Sequence, residues 1–368
     1  MHSRAFLGIL SLVLVLLVAC ASGGEARAGS SGPPGNAALS GTLLYVCVQD
    51  EAEVAILDMD TREVVHTVSL TELGYSERSQ PHHIVVEPDG SHWYVSLIGD
   101  DRVLKFDRSN QVVGEFRMET PGMLALDPDG TLLAVSRSMS AVNPPRRIAL
   151  VDRTTMESDE LDIFFSQPHA MLLGAGGEHA YTASLGENRM AAIELATERV
   201  ELVDFDGPMH AVVQFALSPD GRWMAGSGEM SGQLLIFDLE EPLQPRLAHS
   251  IEVGHMAFDP MFTPDGSQVW VPVKHTDDVV VVDTGSWEIV TRIAGEGLDA
   301  PHAILFSPDG GSAFVSNNNK NPHAMHGPVE DDGGDGAVVV IDTGTFEIER
   351  VIRLGRNVTG IGKRAGGE

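Results

Sequence analysis

The chain has 368 residues, and 43% of them are hydrophobic, which suits a large packed core and excludes a chain that is disordered along its whole length. Its 53 acidic side chains outnumber 24 basic ones and give a formal net charge of −29 at pH 7. A surface this acidic repels nucleic-acid backbones and anionic lipid headgroups, so we expect no nucleic-acid partner.

The N-terminus predicts an export signal. Arg4 precedes an apolar run over residues 6–18. The run is short for a bilayer span and is typical of the hydrophobic part of a signal peptide. An ordinary cleaved signal and an uncleaved anchor are the alternatives to the lipoprotein signal described next.

The run ends in Leu-Val-Ala-Cys at residues 17–20, which resembles the bacterial lipobox. The resemblance implies that residues 1–19 are removed and that Cys20 is lipidated. It also implies delivery to the outer membrane in a Gram-negative host, because Ala21 follows the cysteine where aspartate would retain the protein. Residues 20–40 are rich in Gly, Ser, Ala and Pro, a composition that predicts a flexible tether.

From residue 41 onward the chain repeats one turn-and-strand unit. Five of its turns are Pro-Asp-Gly, in which proline fixes φ and glycine accepts a positive φ. They lie at residues 88–90, 128–130, 219–221, 264–266 and 308–310, with Ala-Gly-Gly at 175–177 as a sixth. The strands that follow, from Tyr45 to Phe314, are spaced about 45 residues apart on average, as in propeller repeats.

Behind each of these strands lies a second apolar strand that ends in an acid, followed by a more polar strand. The acids are Asp58, Asp107, Asp152, Glu194, Asp238, Asp283 and Asp342. Short, evenly spaced strands without a 3.6-residue period exclude a helical repeat. Four strands in each of seven units predict an all-β, seven-bladed β-propeller over residues 41–368. A pair of β-sandwiches is the alternative, but it would not need seven matching registers.

The two ends of this domain are predicted to share a blade. Blade one begins at its second strand, at Leu43, while residues 357–362 match the inner-strand pattern of the other blades. The C-terminal strand should therefore supply the inner strand of blade one and close the ring, which removes open sheet edges. Cys47, the cysteine left after lipidation of Cys20, falls in a strand as a small hydrophobe.

The repeat resembles that of the YVTN-type propellers. The resemblance rests on the turn, the aromatic-Val strand, as in Tyr94-Val95, and the Val-Val-Asp strand that ends at Asp283. It covers nearly the whole chain after residue 40 and implies the fold. It leaves the activity open, because that family includes binding proteins, lactonase-like enzymes and electron-transfer proteins.

The histidines are concentrated on one predicted face, the top, opposite the Pro-Asp-Gly turns. Six precede inner strands: His82, His83, His169, His210, His255 and His302. His323 and His326 lie in a long loop between the second and third strands of blade seven. Imidazoles that converge on an axis favour a transition metal, so these eight are the candidate ligands. A loop histidine that only makes hydrogen bonds is the alternative for each one.

The pair His82-His83, with single histidines from other blades, resembles the propeller domain of nitrous oxide reductases. In that family such histidines hold a multi-copper sulfide cluster. The resemblance implies copper ligation by the pair and by the other candidate histidines named above. This chain lacks the cysteine-containing copper domain of that family. It also has Gly122-Met123 in blade three and Val358-Thr359 in blade one at positions where further histidine ligands would be expected. The resemblance therefore supports copper at this place without nitrous oxide chemistry.

These features predict a monomeric propeller in the cell envelope, tethered to the membrane only through its N-terminal lipid. In a Gram-negative host it would lie on the periplasmic face of the outer membrane. Its top face would bind copper or a similar metal for metal handling or redox work, with binding that weakens below pH ~6 as imidazoles gain protons.

Two other functions stay open for the top face. A scaffold would bind a protein or glycan there without chemistry, and would need an exposed apolar top surface. A lactonase- or lyase-like enzyme would use a top-face histidine as a general base on a small molecule. It would also need a carboxylate such as Asp100, Asp101, Glu187 or Glu229 within hydrogen-bond reach.

Overall fold

A computed structural model describes residues 39–127, 130–320 and 334–365, and these form seven four-stranded antiparallel sheets. The predicted all-β, seven-bladed propeller is confirmed. A single 3-10 turn at Gln49–Glu51 is the helical element of the described residues. No helix in those ranges has the length and apolar character needed to cross a bilayer.

The strands follow one another blade by blade. Blades one to three contain β1 (Leu43–Val48), β2 (Glu53–Asp58), β3 (Glu63–Ser69), β4 (Pro81–Val86), β5 (His92–Leu97), β6 (Arg102–Asp107), β7 (Val112–Arg117), β8 (Pro121–Leu126), β9 (Leu132–Arg137), β10 (Arg147–Asp152) and β11 (Ser158–Asp162). Blades four and five contain β12 (Pro168–Leu173), β13 (His179–Ser184), β14 (Arg189–Glu194), β15 (Arg199–Asp204), β16 (Val212–Leu217), β17 (Trp223–Gly228), β18 (Gln233–Asp238) and β19 (Arg246–Glu252). Blades six and seven contain β20 (Met261–Phe262), β21 (Gln268–Val273), β22 (Asp278–Asp283), β23 (Ile289–Ala294), β24 (Pro301–Phe306), β25 (Ser312–Asn317), β26 (Ala337–Asp342) and β27 (Ile348–Arg353). The last strand is β28 (Val358–Arg364).

The C-terminal strand closes the ring, as predicted. β28 pairs antiparallel with β1, with Leu43 opposite Arg364 and Val48 opposite Val358. Arg364 is 1% exposed and donates hydrogen bonds to the hydroxyl of Tyr45 and to the carbonyl oxygen of Leu39. The sheet of blade one is thus built from both ends of the described chain, and its inner edge is covered.

The inner strands line the central axis because each touches the inner strand of the next blade. β28 contacts β4, β4 contacts β8, β8 contacts β12 and β12 contacts β16. The second and third strands are almost entirely buried, while the outer strands are mostly exposed, which places the hydrophobic core between neighbouring blades. Between blades one and two, for example, the centroid of the Tyr45 ring in β1 lies 5.1 Å from that of the Trp93 ring in β5. This close packing holds the inner strands, and with them the side chains that face the axis, in fixed positions.

Gly360 sits where blades one and two approach most closely, and we expect Gly360→Ala to weaken this junction. A Cβ at position 360 would press into the carbonyl oxygen of His82 and lie 2.8 Å from the Cα of His83, both in the backbone of β4. Backbone atoms cannot move away as a flexible side chain can. The free energy of unfolding, measured in urea, should therefore fall by about 1–3 kcal/mol.

Gly344→Ala is the matched control for this substitution. A Cβ at position 344 would meet nothing nearer than the Asp342 carboxylate at 3.5 Å. Its unfolding free energy should stay within about 0.5 kcal/mol of the wild type. If both variants unfold at the same urea concentration as the wild type, the close approach of β28 to β4 is wrong.

Candidate functional site

A pocket of about 380 Å³ lies on the axis at the beginning of the inner strands. Each of the seven blades contributes a residue from its inner strand or from the turn that leads into it. In blade order these residues are Thr359, His82, Met123, His169, Val213, Phe258 and His302. The pocket is therefore built by the repeat itself, on the face where the sequence predicted a site.

The backbone that begins each inner strand explains why these side chains face the axis. A non-glycine residue with positive φ precedes the strand or its lead-in segment in all seven blades: Gln80, Thr120, Gln167, Ala211, Met256, Ala300 and Asn357. The pairing that follows is irregular, as between Pro81 and Ile84 in β4. Such an irregularity redirects side chains relative to a regular ladder. In β4 it allows His82 to face the pocket.

The two imidazoles of His82 and His169 present ring nitrogens that can accept a hydrogen bond or bind a metal. Nδ1 of His169 donates to the Val213 carbonyl oxygen at 2.8 Å, and its buried Nε2 has no hydrogen-bond partner among the described residues. Nδ1 of His82 lies 3.3 Å from the Gln49 side-chain oxygen and donates to it, which leaves its Nε2 unprotonated when the ring is neutral.

His302 completes the group of axial imidazoles. Its ring stands edge-on to His82 with centroids 5.9 Å apart, and it lies 5.0 Å from the Phe258 ring. Its buried Nδ1 makes no hydrogen bond within the described residues, and Oδ2 of Asp259 lies 3.8 Å from it. Buried polar atoms without partners are rare in folded proteins and point to a missing ligand or water.

Burial keeps these imidazoles neutral. It lowers the pKa of His82 to about 3 and that of His169 to about 4, and it holds the pKa of His302 well below its ordinary value. Mutual repulsion among the rings and Lys274 adds to the effect at His82 and His302. His82 and His169 therefore stay neutral well below pH 6, while the pH dependence of metal binding stays a prediction.

Blade six contributes a lysine and an aspartate that the sequence analysis did not single out. Its inner strand β20 has only two residues, and the segment before it bridges to blade seven, where the Asp259 amide donates to the His302 carbonyl oxygen at 3.1 Å. Lys274 follows β21, and its Nζ lies 3.4 Å from the centroid of the Phe258 ring. Both Asp259 and Lys274 line the pocket and are buried.

Burial acts in opposite directions on these two groups. It raises the pKa of Asp259 to about 7, although the nearby positive charge of Lys274 works against that shift. It lowers the pKa of Lys274 to about 7, and the charges of Asp259 and Glu229 partly offset that effect. A buried acid and a buried base that both titrate near neutrality are typical of a functional pocket.

Three other predicted ligands lie away from the pocket. His83 accepts the Leu124 amide at 3.3 Å and so turns toward blade three. His210 is held in its own blade, with Nδ1 2.9 Å from the Ser231 hydroxyl and Nε2 3.1 Å from the Asp206 carbonyl oxygen. His255 is exposed, and its ring lies 6.3 Å from that of His275.

The structure thus gathers His82, His169 and His302 and separates them from His83, His210 and His255. His323, His326 and Cys20 lie outside the described residues. As the described side chains stand, no three of the His, Cys, Asp and Glu residues are close enough together to hold one metal ion. Ligation of copper by any of the histidines therefore stays a prediction.

No family profile and no curated protein matches this chain. Among solved structures, a protein of unknown function from Desulfotomaculum acetoxidans is similar at 13% identity, with a TM-score of 0.71 over 88% of this chain and 99% of that one. Hydrazine synthase from Kuenenia stuttgartiensis gives 18% identity and 0.60 over 76% and 88%. The dihydro-heme d1 dehydrogenase NirN in complex with DHE gives 18% and 0.61 over 92% and 77%. At these identities the likeness shows the propeller fold alone.

Proposed function

We propose that this chain is a ligand-binding propeller whose axial pocket receives a small polar molecule, and that Cys20 tethers it in the cell envelope. The observation that carries the proposal is the convergence of buried polar atoms without partners on one cavity. They include Nε2 of His169, Nδ1 of His302 and Oδ1 of Asp259. A cavity of about 380 Å³ falls within the range of pockets that hold small organic ligands, roughly 300–1,000 Å³.

The polar groups of the pocket define the chemistry of this ligand. His82 and His169, both neutral, offer lone pairs and so require hydrogen-bond donors such as hydroxyl groups. Lys274 offers donors and requires an acceptor such as a carboxylate or carbonyl oxygen. The remaining wall is largely apolar, with Met123 and Phe258 among its residues. A short hydroxylated acid or carbonyl compound satisfies all three conditions.

Copper is the second candidate, and the donor set of the pocket favours it. Met123, Met139 and Met256 line the pocket beside the three imidazoles. Thioether and imidazole groups are soft or borderline donors that suit copper(I). Because no ready group of three His, Cys, Asp or Glu ligands exists among the described residues, this candidate requires side-chain rotation.

Thermal unfolding with D-glycerate tests the first proposal, because glycerate carries hydroxyl donors and a carboxylate acceptor. We expect saturating glycerate to raise the Tm of the full-length protein by several degrees, since a ligand that binds only the folded state stabilises it. His169→Ala should lose most of this shift. His66→Ala, which removes an exposed histidine from β3, should keep it.

Elemental analysis of the same three proteins after exposure to copper(I) separates the two candidates. Copper that is retained by the wild type and by His66→Ala, but lost from His169→Ala, favours the second. A protein that neither shifts with glycerate nor retains copper contradicts both.

A further inference from the structure

We propose that Lys274 is a nucleophilic amine that captures a small hydroxylated aldehyde or ketone in the axial pocket as a Schiff base, with Asp259 transferring the protons. This inference rests on the function proposed for the pocket and names the bond that its ligand forms. Nothing in the histidine pattern of the sequence pointed to it.

The surroundings of Lys274 distinguish it from the other lysines. The chain has only four. Lys105 donates to the Arg153 carbonyl oxygen at 2.6 Å and Lys363 to the Phe306 carbonyl oxygen at 2.8 Å. Lys320 also lines the pocket, but its ammonium pairs with Asp50 at 2.8 Å.

The amine of Lys274, by contrast, lies over the face of the Phe258 ring inside the pocket. The ring holds the side chain in place without taking a proton or a lone pair from the amine. Its nitrogen therefore stays available to a molecule that enters the pocket.

The pocket also supplies the amine in its reactive form. Only an unprotonated amine attacks a carbonyl carbon, and lysines used for Schiff-base chemistry are made reactive by desolvation or by a neighbouring cation. Burial lowers the pKa of Lys274 to about 7. A large share of its amine is therefore unprotonated at neutral pH, whereas an ordinary lysine is almost fully protonated there.

The chemical step balances with the groups present. The amine lone pair forms a bond to the carbonyl carbon while the C=O π electrons move to the oxygen, which takes a proton from the Asp259 carboxylic acid. The resulting Asp259 carboxylate takes a proton from the new ammonium and returns it to the hydroxyl group, which leaves as water while the nitrogen lone pair forms the C=N bond. The Asp259 carboxylate then takes the remaining N–H proton of the iminium and is again a carboxylic acid. Amine and carbonyl compound thus give an imine and water, with no oxidant or reductant.

The neighbours of Asp259 suit this acid–base role. Its side chain lines the same pocket as Lys274, is 7% exposed, and keeps an Oδ1 that makes no hydrogen bond within the described residues. His302 has its Nδ1 3.8 Å from Oδ2 of Asp259, beyond hydrogen-bond distance. His82 and His169 then accept hydrogen bonds from hydroxyl groups on the captured molecule, which restricts the class to hydroxylated carbonyl compounds.

Reductive trapping tests the proposal directly. The full-length protein is incubated with D-glyceraldehyde and sodium cyanoborohydride at pH 7, and the alkylated lysines are identified by peptide mass spectrometry. We expect Lys274 to be labelled at least about tenfold faster than each of the other three lysines, because more of its amine is unprotonated. Equal labelling of all four lysines would overturn the proposal, and this comparison needs only the wild-type protein.

Three variants sharpen the result. Lys274→Arg keeps a cation but cannot form an imine, so the fast label should vanish, whereas Lys105→Arg, outside the pocket, should retain it. Asp259→Asn should slow trapping and shift its pH optimum, an effect that a merely structural role would not produce. A fast label that persists in Lys274→Arg overturns the assignment.

The outcome also separates this inference from the proposed function. If glycerate stabilises the wild type while glyceraldehyde labels no lysine selectively, the pocket binds its ligand without a covalent bond and only this inference fails. If glycerate has no effect and Lys274 is not selectively labelled, both fail.

Discussion

Deleting residues 358–368 should abolish the stable propeller. The deletion removes β28, so the buried strand β1 becomes the inner edge of its sheet and its backbone groups lose their partners. Val358 and Ile361 leave the cluster that they form with Leu44 and Val46. Because the fully buried strand β1 would lose its backbone partners and its cover, we expect the Tm to fall by roughly 10 °C or more, or the cooperative transition to disappear.

The control and the rescue for this experiment come from the same strand. Deleting only residues 366–368 leaves β28 whole and should not change the Tm. A synthetic peptide of residues 356–365, added to the longer truncation, should restore cooperative unfolding by adding a strand to the open edge. A truncated protein that unfolds at the wild-type temperature without the peptide would show that β28 does not close the ring.

The fold could be predicted because its signals are local and repeated. Pro88-Asp89-Gly90 specifies a turn from three residues alone, and the structure gives Gly90 a φ of +66° with its amide bonded to the Glu87 carbonyl oxygen. The same turn signal recurs along the chain, so an error at one repeat does not change the conclusion. The closing strand was predictable for the same reason, since residues 357–362 match a pattern set by the other blades.

Of the six histidines that precede inner strands, three line the pocket. Their distance from the turn that follows distinguishes them from the others. His82, His169 and His302 each stand six residues before the first residue of the turn that follows, and all three line the pocket. His210 and His255 stand nine residues before theirs. The extra residues place both histidines in loops before the strand. There His210 makes hydrogen bonds to residues of its own blade. In blades five and six, Val213 and Phe258 hold the axial positions instead.

Lys274 and Asp259 could not be predicted because they depend on an irregularity. Asp259 occupies the position that His83 has in blade two, yet β20 is too short to hold it in the sheet, and its amide bonds to the neighbouring blade. The placement of Lys274 over Phe258 depends on that same displaced segment. The one indication of Lys274 in the sequence was that lysine is rare in this chain, so that a lysine in a top loop is unusual.

The double substitution Lys274→Met/Asp259→Asn should stabilise the fold while it removes the chemistry. Both charges are buried in the pocket wall, and replacing buried charged pairs by neutral groups of similar size is often stabilising, by about 1–4 kcal/mol. We expect a higher Tm at pH 7 and no selective label from glyceraldehyde. Lys105→Met removes a lysine that bonds to a carbonyl oxygen outside the pocket, and it should not stabilise the protein.

The pH dependence of this gain identifies its origin. Because the pKa of Asp259 is raised to about 7, the folded state loses stability as pH rises from about 4 to 7. Because the pKa of Lys274 is lowered to about 7, the folded state also loses stability as pH falls from about 10 to 7. The difference in unfolding free energy between variant and wild type should therefore be largest near pH 7 and shrink toward pH 4 and pH 10. A variant that is less stable than the wild type at pH 7 would mean that the two charges support the fold, and would contradict the expected cost of burying them.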